Sequence, residues 1–263
     1  MNKYSGICLI IILIFTKTAS AQPSHYTTAN AHSHNDYEQD LPFYDAYARH
    51  FGSIEADIWA VKGSLFVAHD KDDISPGRTF QKLYLNPLVH RIKANGDKAY
   101  KNKQSLQLLI DFKSSYSDLM PLLLKSLEPY RKYFDPTLNP DAIRIVISGN
   151  MPPPDSLYHY DPMFTFDGRL SSHYTERNLR RVKLVSADVQ KLVNWENNDS
   201  LSARGKQKLS RIIDRIHSNN QLIRFWGTPN TIKAYQDLME LKVDYIGTDD
   251  LSKLECLLSR IDR

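Results

Sequence analysis

A single α/β domain folded as a (β/α)8 barrel of the TIM type is what this sequence predicts over residues 22–263. Three observations lead there. About eight short apolar runs alternate with amphipathic helical stretches, the order that builds a parallel sheet with helices outside it. A chain of 263 residues matches the ~250 residues that such a barrel ordinarily takes. The polar groups of most chemical interest stand at or just after apolar runs, and a barrel opens its active site at strand ends.

Taken in order, Thr27 to Ala31 reads as the opening strand, delivering His32, Ser33 and His34 to the rim. Phe43 to Phe51 is a short helix, with Pro42 suited to its start and Gly52 to its end. Ser53 to Trp59 is the next strand, and Lys62-Gly63 turns the chain into Ser64 to Ala68, which brings His69 back to the same rim. Thr79 to Ala94 has helical character with a break expected at Pro87. Asp97 to Gln104 is polar and lysine-rich, a loop.

Leu106 to Phe112 carries the strongest strand signal, and Leu119 to Tyr133 follows as an amphipathic helix. Ala142 to Ser148 is a strand closed by Gly149, and Met151 to Pro154 is a stiff loop expected to wall a cleft. Phe164 to Phe166 and Val182 to Val189 are strands, the second carrying Ser186 and Asp188. A polar loop over Asn194 to Ser200 leads to a long helix, Ser202 to Asn219. Strand Leu222 to Trp226, helix Pro229 to Leu241, strand Val243 to Ile246 and helix Leu251 to Ile261 complete the chain.

Glu55 and Asp57 are two residues apart, so on a strand they share a face. Carboxylates held side by side repel unless a cation or proton neutralises them. A hard divalent ion, Ca²⁺ or Mg²⁺, prefers such oxygens, and Asn35 and Asp111 offer two more. That leaves His34 and His69 for proton transfer, since imidazole titrates near neutral pH. His32 would share a face with His34 if extended and is the alternative to it. Asp70, next to His69, would orient an imidazole or cap a turn. Lys113 lies two residues beyond Asp111 and would touch a phosphate oxygen.

Ser33-His34-Asn35-Asp36-Tyr37 resembles the Ser-His-Asn-Thr-Tyr segment of phosphoinositide-specific phospholipase C. Glu55-Ala56-Asp57 followed by His69-Asp70 resembles the signatures of glycerophosphodiester phosphodiesterases. The chain is most similar to the altered-inheritance-of-mitochondria protein type, a branch of that superfamily. Members of that branch share His-Ser-His-Asn-Asp-Tyr, a Glu-x-Asp-x-Trp strand and a Leu-Tyr-Leu-x-Pro-Leu segment, here Leu83 to Leu88. Asp111-Phe112-Lys113 resembles the Asp-Leu-Lys of the sphingomyelinase D group. The opening motif lacks the Arg and Gly of the glycerophosphodiesterases, so the resemblance does not extend to simple glycerophosphodiester substrates. It implies a PI-PLC-like barrel, a catalytic role for His34, cation binding by Asn35, and phosphodiester chemistry. Trp226 resembles an aromatic of related barrels, and Asp249 a mostly structural Asp near their last strand.

A basic Lys3, an apolar run from Ile7 to Phe15 and Ala19-Ser20-Ala21 read as a signal peptide over residues 1–21. The expected destination is therefore secreted or periplasmic, with no transmembrane segment in the mature chain. Lys3 and Lys17 leave with the signal, taking the formal charge from +4 to +2. So small a charge does not argue for a nucleic-acid partner. Cys256 is then alone, which excludes an intramolecular disulfide. The expected partner is a lipid or small-molecule phosphodiester. Two rival readings are a metal-dependent amidohydrolase or phosphoesterase built on His32-Ser33-His34 as a His-x-His pair, and a non-catalytic binder of phosphorylated ligands.

Overall fold

In-register parallel strands place the polar residues of the barrel. The computed structural model describes residues 22–102, 104–196 and 200–261. The expected signal peptide lies outside the described residues. The strands are β1 (Ala31–Ser33), β2 (Ser53–Val61), β3 (Ser64–Val67), β4 (Gln107–Phe112), β5 (Arg144–Gly149), β6 (Phe164–Gly168), β7 (Val182–Asp188), β8 (Trp195–Glu196), β9 (Ser200–Leu201), β10 (Leu222–Trp226) and β11 (Ile246–Thr248). Eight of them lie side by side in the order β10, β7, β6, β5, β4, β2, β1, β11, every pair parallel. A parallel bridge between Arg224 and Tyr245 joins the two ends into a near-closed barrel. The strand β3 folds back antiparallel on β2, and β8 pairs with β9.

The helices are α1 (Tyr44–Ala48), α2 (Asn86–Ala94), α3 (Tyr116–Leu127), α4 (Glu176–Leu179), α5 (Ala203–Ser218), α6 (Ile232–Glu240) and α7 (Leu251–Ile261). Period-two alternation divides each strand between two environments. Ile54, Ala56 and Ile58 of β2, with Leu108, Ile110 and Phe112 of β4, join the large core that also holds Leu119, Leu123, Leu209, Ile213 and Leu254 from the helices. Each such Leu, Ile or Phe side chain contributes roughly 1.5–3 kcal/mol on burial. The opposite strand faces meet in a small apolar floor of Leu109, Val146, Leu184 and Tyr245. Polar residues occupy the barrel above that floor.

Ser115, Thr175, Ser202 and Thr231 each cap a helix by accepting a backbone N–H, which fixes where the helices begin.

Several expected boundaries move. The opening strand is Ala31–Ser33 rather than 27–31, because Thr27 and Asn30 close a capping box around a 3-10 turn, Thr28–Asn30. Pro87 does not break the helix. It sits in the first turn of α2, where its missing N–H is not needed, and a wide turn with Asn86 N–H donating to the Gln81 carbonyl leads into it. The helix expected to reach Tyr133 ends at Leu127 and tightens into a 3-10 segment, Glu128–Tyr133, beginning beside Pro129. The last strand is Ile246–Thr248. The expected loop at Asn194 to Ser200 holds β8 and the start of β9.

Candidate metal and acid-base site

The register of β2, β4 and β5 sets Asp57, Asp111 and Ser148 side by side at one level of the barrel. Glu55 lies one step deeper on the same face of β2. Carboxylate oxygens of Glu55, Asp57 and Asp111 fall within 4.8 Å of one another. Above them opens a cavity of about 700 Å³, lined by His34, Asn35, His69, Lys113 and the three acids, and on its far side by Asp167, Arg224 and Trp226 among others. The loop Met151 to Pro154 was expected on this wall and does not line it; Gly149 and Gly168 to Ser171 do.

The two rim imidazoles are each held through Nδ1. His34 Nδ1 lies 2.7 Å from Asp249 Oδ1, and Asn230 donates to the other oxygen of that carboxylate at 2.9 Å. Burial pulls the His34 pKa down, but the hydrogen bond to Asp249 together with the Glu55 and Asp249 charges outweighs it, and the net shift is upward. His69 Nδ1 lies 3.2 Å from Asp57 Oδ2 and 3.1 Å from the Tyr37 hydroxyl. With Nδ1 facing an acceptor, each ring keeps Nε2 for other work. Asp70 takes no part in orienting His69, nor does its side chain cap the following turn.

Tyr37 ties the opening loop to the acids. Its hydroxyl reaches Asp57 Oδ2 at 2.7 Å and Asn35 Oδ1 at 2.8 Å. Asn35 takes a left-handed conformation, φ 46°, which an Asn tolerates and which turns the chain at the rim. Asp36 faces inward and clamps that turn, accepting from Ser33, the Phe43 N–H and Tyr84.

His32 is fully buried and does not line the cavity. Its Nδ1 meets Ser53 Oγ and its Nε2 meets Glu55 Oε2, both at 2.8 Å. The strand runs straight through His32 and the chain turns only after Ser33, so one imidazole points into the barrel and the other sits at the rim. His32 therefore supports Glu55 and is no alternative to His34. The same divergence removes the His-x-His pair on which an amidohydrolase reading depends. Burial, with Arg224 nearby, lowers the His32 pKa to about 4, so the ring is neutral at pH 7.

Arg224 was not legible as a site residue. It projects from β10 into the interior, donating to Glu55 Oε2 at 2.7 Å and to Ser186 Oγ at 3.2 Å. Burial alone would raise the Glu55 pKa, but the Arg224 charge and the His32 hydrogen bond hold it well below the usual range. The signal was a charged residue inside an apolar strand, two positions from Trp226. Asp167 was likewise missed; its Oδ2 accepts from Ser148 at 2.9 Å, and its Oδ1 is buried with no hydrogen-bond partner among the described residues.

The donor set fits a hard divalent cation. Burial and then the neighbouring Glu55 charge push the Asp57 pKa up, against Lys113. Burial and Asp57 raise Asp111 to about 6. Such crowding is what a cation relieves. Asp57 Oδ1 is buried without a hydrogen-bond partner, and an orphaned anionic oxygen is costly unless something coordinates it. Lys113 Nζ lies 2.9 Å from Asp57 Oδ2 and 3.7 Å from Asp111 Oδ1 at the cavity wall. Gly149 makes room for the cluster: its φ is +68°, and a Cβ there would lie 2.1 Å from Asp111 Oδ1.

Residues 23–158, just over half of the chain, match the model of the AIM6-like phosphodiesterase domain. Among curated proteins, the chain is 26% identical to an altered inheritance of mitochondria protein 6 homolog of Arthroderma benhamiae, over 75% of this chain and 72% of that protein. It is 28% identical to altered inheritance of mitochondria protein 6 of Kluyveromyces lactis, over 86% and 71%. Among solved structures, a glycerophosphodiester phosphodiesterase of Parabacteroides distasonis superposes with a TM-score of 0.53 at 14% identity, covering 88% of this chain and 98% of that one. This last likeness concerns the fold alone.

Proposed function

This chain belongs to the AIM6-like phosphodiesterase domain family, and from that premise we propose that it is a secreted or periplasmic, metal-dependent phosphoric diester hydrolase. The observation that carries the reading is one cavity lined by two imidazoles, three clustered carboxylates and an ammonium group. The substrate class is a small-molecule or lipid phosphodiester.

Glu55, Asp57, Asp111 and Asn35 would hold Ca²⁺ or Mg²⁺, which when bound supplies positive charge to a non-bridging phosphate oxygen. Lys113 adds a second positive group at the cavity wall and offsets the charge of a phosphate oxygen there. One rim imidazole, through Nε2, takes the proton of the attacking hydroxyl as the new P–O bond forms. The other gives a proton to the leaving oxygen as its P–O bond breaks. The attacking hydroxyl is water or a neighbouring hydroxyl of the substrate. Asp249 and Asp57 keep the two rings turned so that Nε2 serves this exchange.

The test is diester turnover by the protein lacking residues 1–21, against His34→Ala and His69→Ala, with added Ca²⁺ or Mg²⁺ and with chelator. Each substitution is expected to lower turnover about 10²–10⁴-fold, the usual weight of a positioned acid or base. Undiminished turnover in both variants sinks the assignment.

A further inference from the structure

The cation cluster contains a resident competitor. Arg224 is buried in the far wall of the cavity, and its guanidinium reaches Glu55 Oε2 at 2.7 Å. His32 Nε2 takes the same oxygen at 2.8 Å. Glu55 thus meets any incoming ion with one oxygen already committed. Lys113 is similarly placed against Asp57 and Asp111. Three carboxylates therefore face two fixed positive charges. Asp167 also stands near Arg224, and burial raises its pKa.

A divalent ion entering such a cluster lies close to two fixed positive charges in a low-dielectric space, and their repulsion is unfavourable. A phosphodiester brings a negative charge that offsets that repulsion. We propose that Arg224 sets the cation affinity of the site, holding it weak in the empty cavity and making cation and phosphate anion bind cooperatively. This rests on the metal-dependent reading above and goes beyond it, since it assigns a specificity-determining role to a residue that would not ligate the ion. Arg224 is suited to the task because a guanidinium stays protonated in proteins. Ser186, donated to by Nε at 3.2 Å, anchors it. Linkage requires that the ion tighten the anion by the same factor as the anion tightens the ion.

The experiment is calorimetric titration of the protein with Ca²⁺ and with Mg²⁺, alone and with saturating dimethyl phosphate or inorganic phosphate. In the native sequence the anion is expected to raise ion affinity about five- to 150-fold, the ordinary range of coupling between two sites. Arg224→Gln retains hydrogen-bonding groups and loses the charge. It is expected to bind the ion more tightly without anion and to lose most of the gain. Arg224→Lys keeps the charge and is expected to titrate like the native protein. Tight ion binding that neither anion changes, or a folded Arg224→Gln that titrates like the native protein, overturns the proposal. Should Arg224→Gln not fold, the paired titrations of the native protein decide. Failure to bind either ion under any condition overturns it together with the metal site, and turnover in chelator then shows whether the phosphodiesterase reading stands without a metal.

Discussion

His34 Nδ1 and Asp249 Oδ1 lie 2.7 Å apart at the cavity rim, joining the loop after β1 to the loop after β11 across 215 residues of chain. The carboxylate fixes the imidazole and raises its pKa against the effect of burial. On the proposed mechanism Asp249 acts through His34 and is a positioning residue. Asp249→Asn should lower turnover by at least about tenfold while leaving KM little changed, because it disturbs a proton-transfer group rather than a binding contact. It should also move the limb of the pH–rate profile that follows His34 to lower pH, since the interaction that raised its pKa is gone. An unmoved profile with reduced activity would assign Asp249 a purely structural role.

Gly149 and Asp111 give a second prediction. No side chain fits at Gly149 without displacing the Asp111 carboxylate, and the backbone there has positive φ. Gly149→Ala should cost at least about 1–2 kcal/mol from the conformation alone. It should also abolish the stabilisation that added Ca²⁺ or Mg²⁺ gives in thermal unfolding. Retained stabilisation by the ion would place it away from Asp111.

That stabilisation is itself testable in the unaltered chain. An ion that binds only the folded state adds about RT ln(1 + [L]/Kd) to stability. With phosphate present, millimolar Ca²⁺ or Mg²⁺ should raise the melting temperature, and excess chelator should reverse the rise and stop turnover. Activity that survives exhaustive chelation would remove the metal from the mechanism.

The residues of this site differed in how far sequence revealed them. Glu55 and Asp57 were readable because period-two spacing on a strand fixes a shared face, and the register then brings Asp111 alongside Asp57. His34 and His69 were readable from their places beside strand ends. His32 was not sorted from His34, since that depends on the strand ending at Ser33 and no composition signal marks the point. Arg224, and the contact of Asp249 with His34, were beyond reach for another reason. Each acts on a residue about 170 or more positions away, and only closure of the barrel creates the contact. The barrel itself followed from alternation, which is a local property, while the boundaries that moved were set by caps and prolines competing with the apolar pattern.

Away from the cavity, Asp237 of α6 supports the fold by a buried carboxylate. It accepts the Leu201 N–H at 2.9 Å, which fastens β9 to the helix, and is paired with Lys206 at 2.9 Å and with Lys233. Burial would raise its pKa, but the hydrogen bonds from Lys233, Leu201 and Lys206 prevail and hold it below its ordinary 3.8. A carboxyl whose pKa is depressed by folding stabilises the protein above its unfolded pKa, and that contribution is lost as pH falls through the folded value. Asp237→Asn should therefore cost about 1.5–3 kcal/mol at pH 7, the range for hydrogen bonds to a charged group. The gap between the two proteins in urea unfolding should hold steady down to roughly pH 4 and narrow below it. A gap that stays constant to pH 2 would mean that shape and packing, not the carboxylate charge, make this position matter.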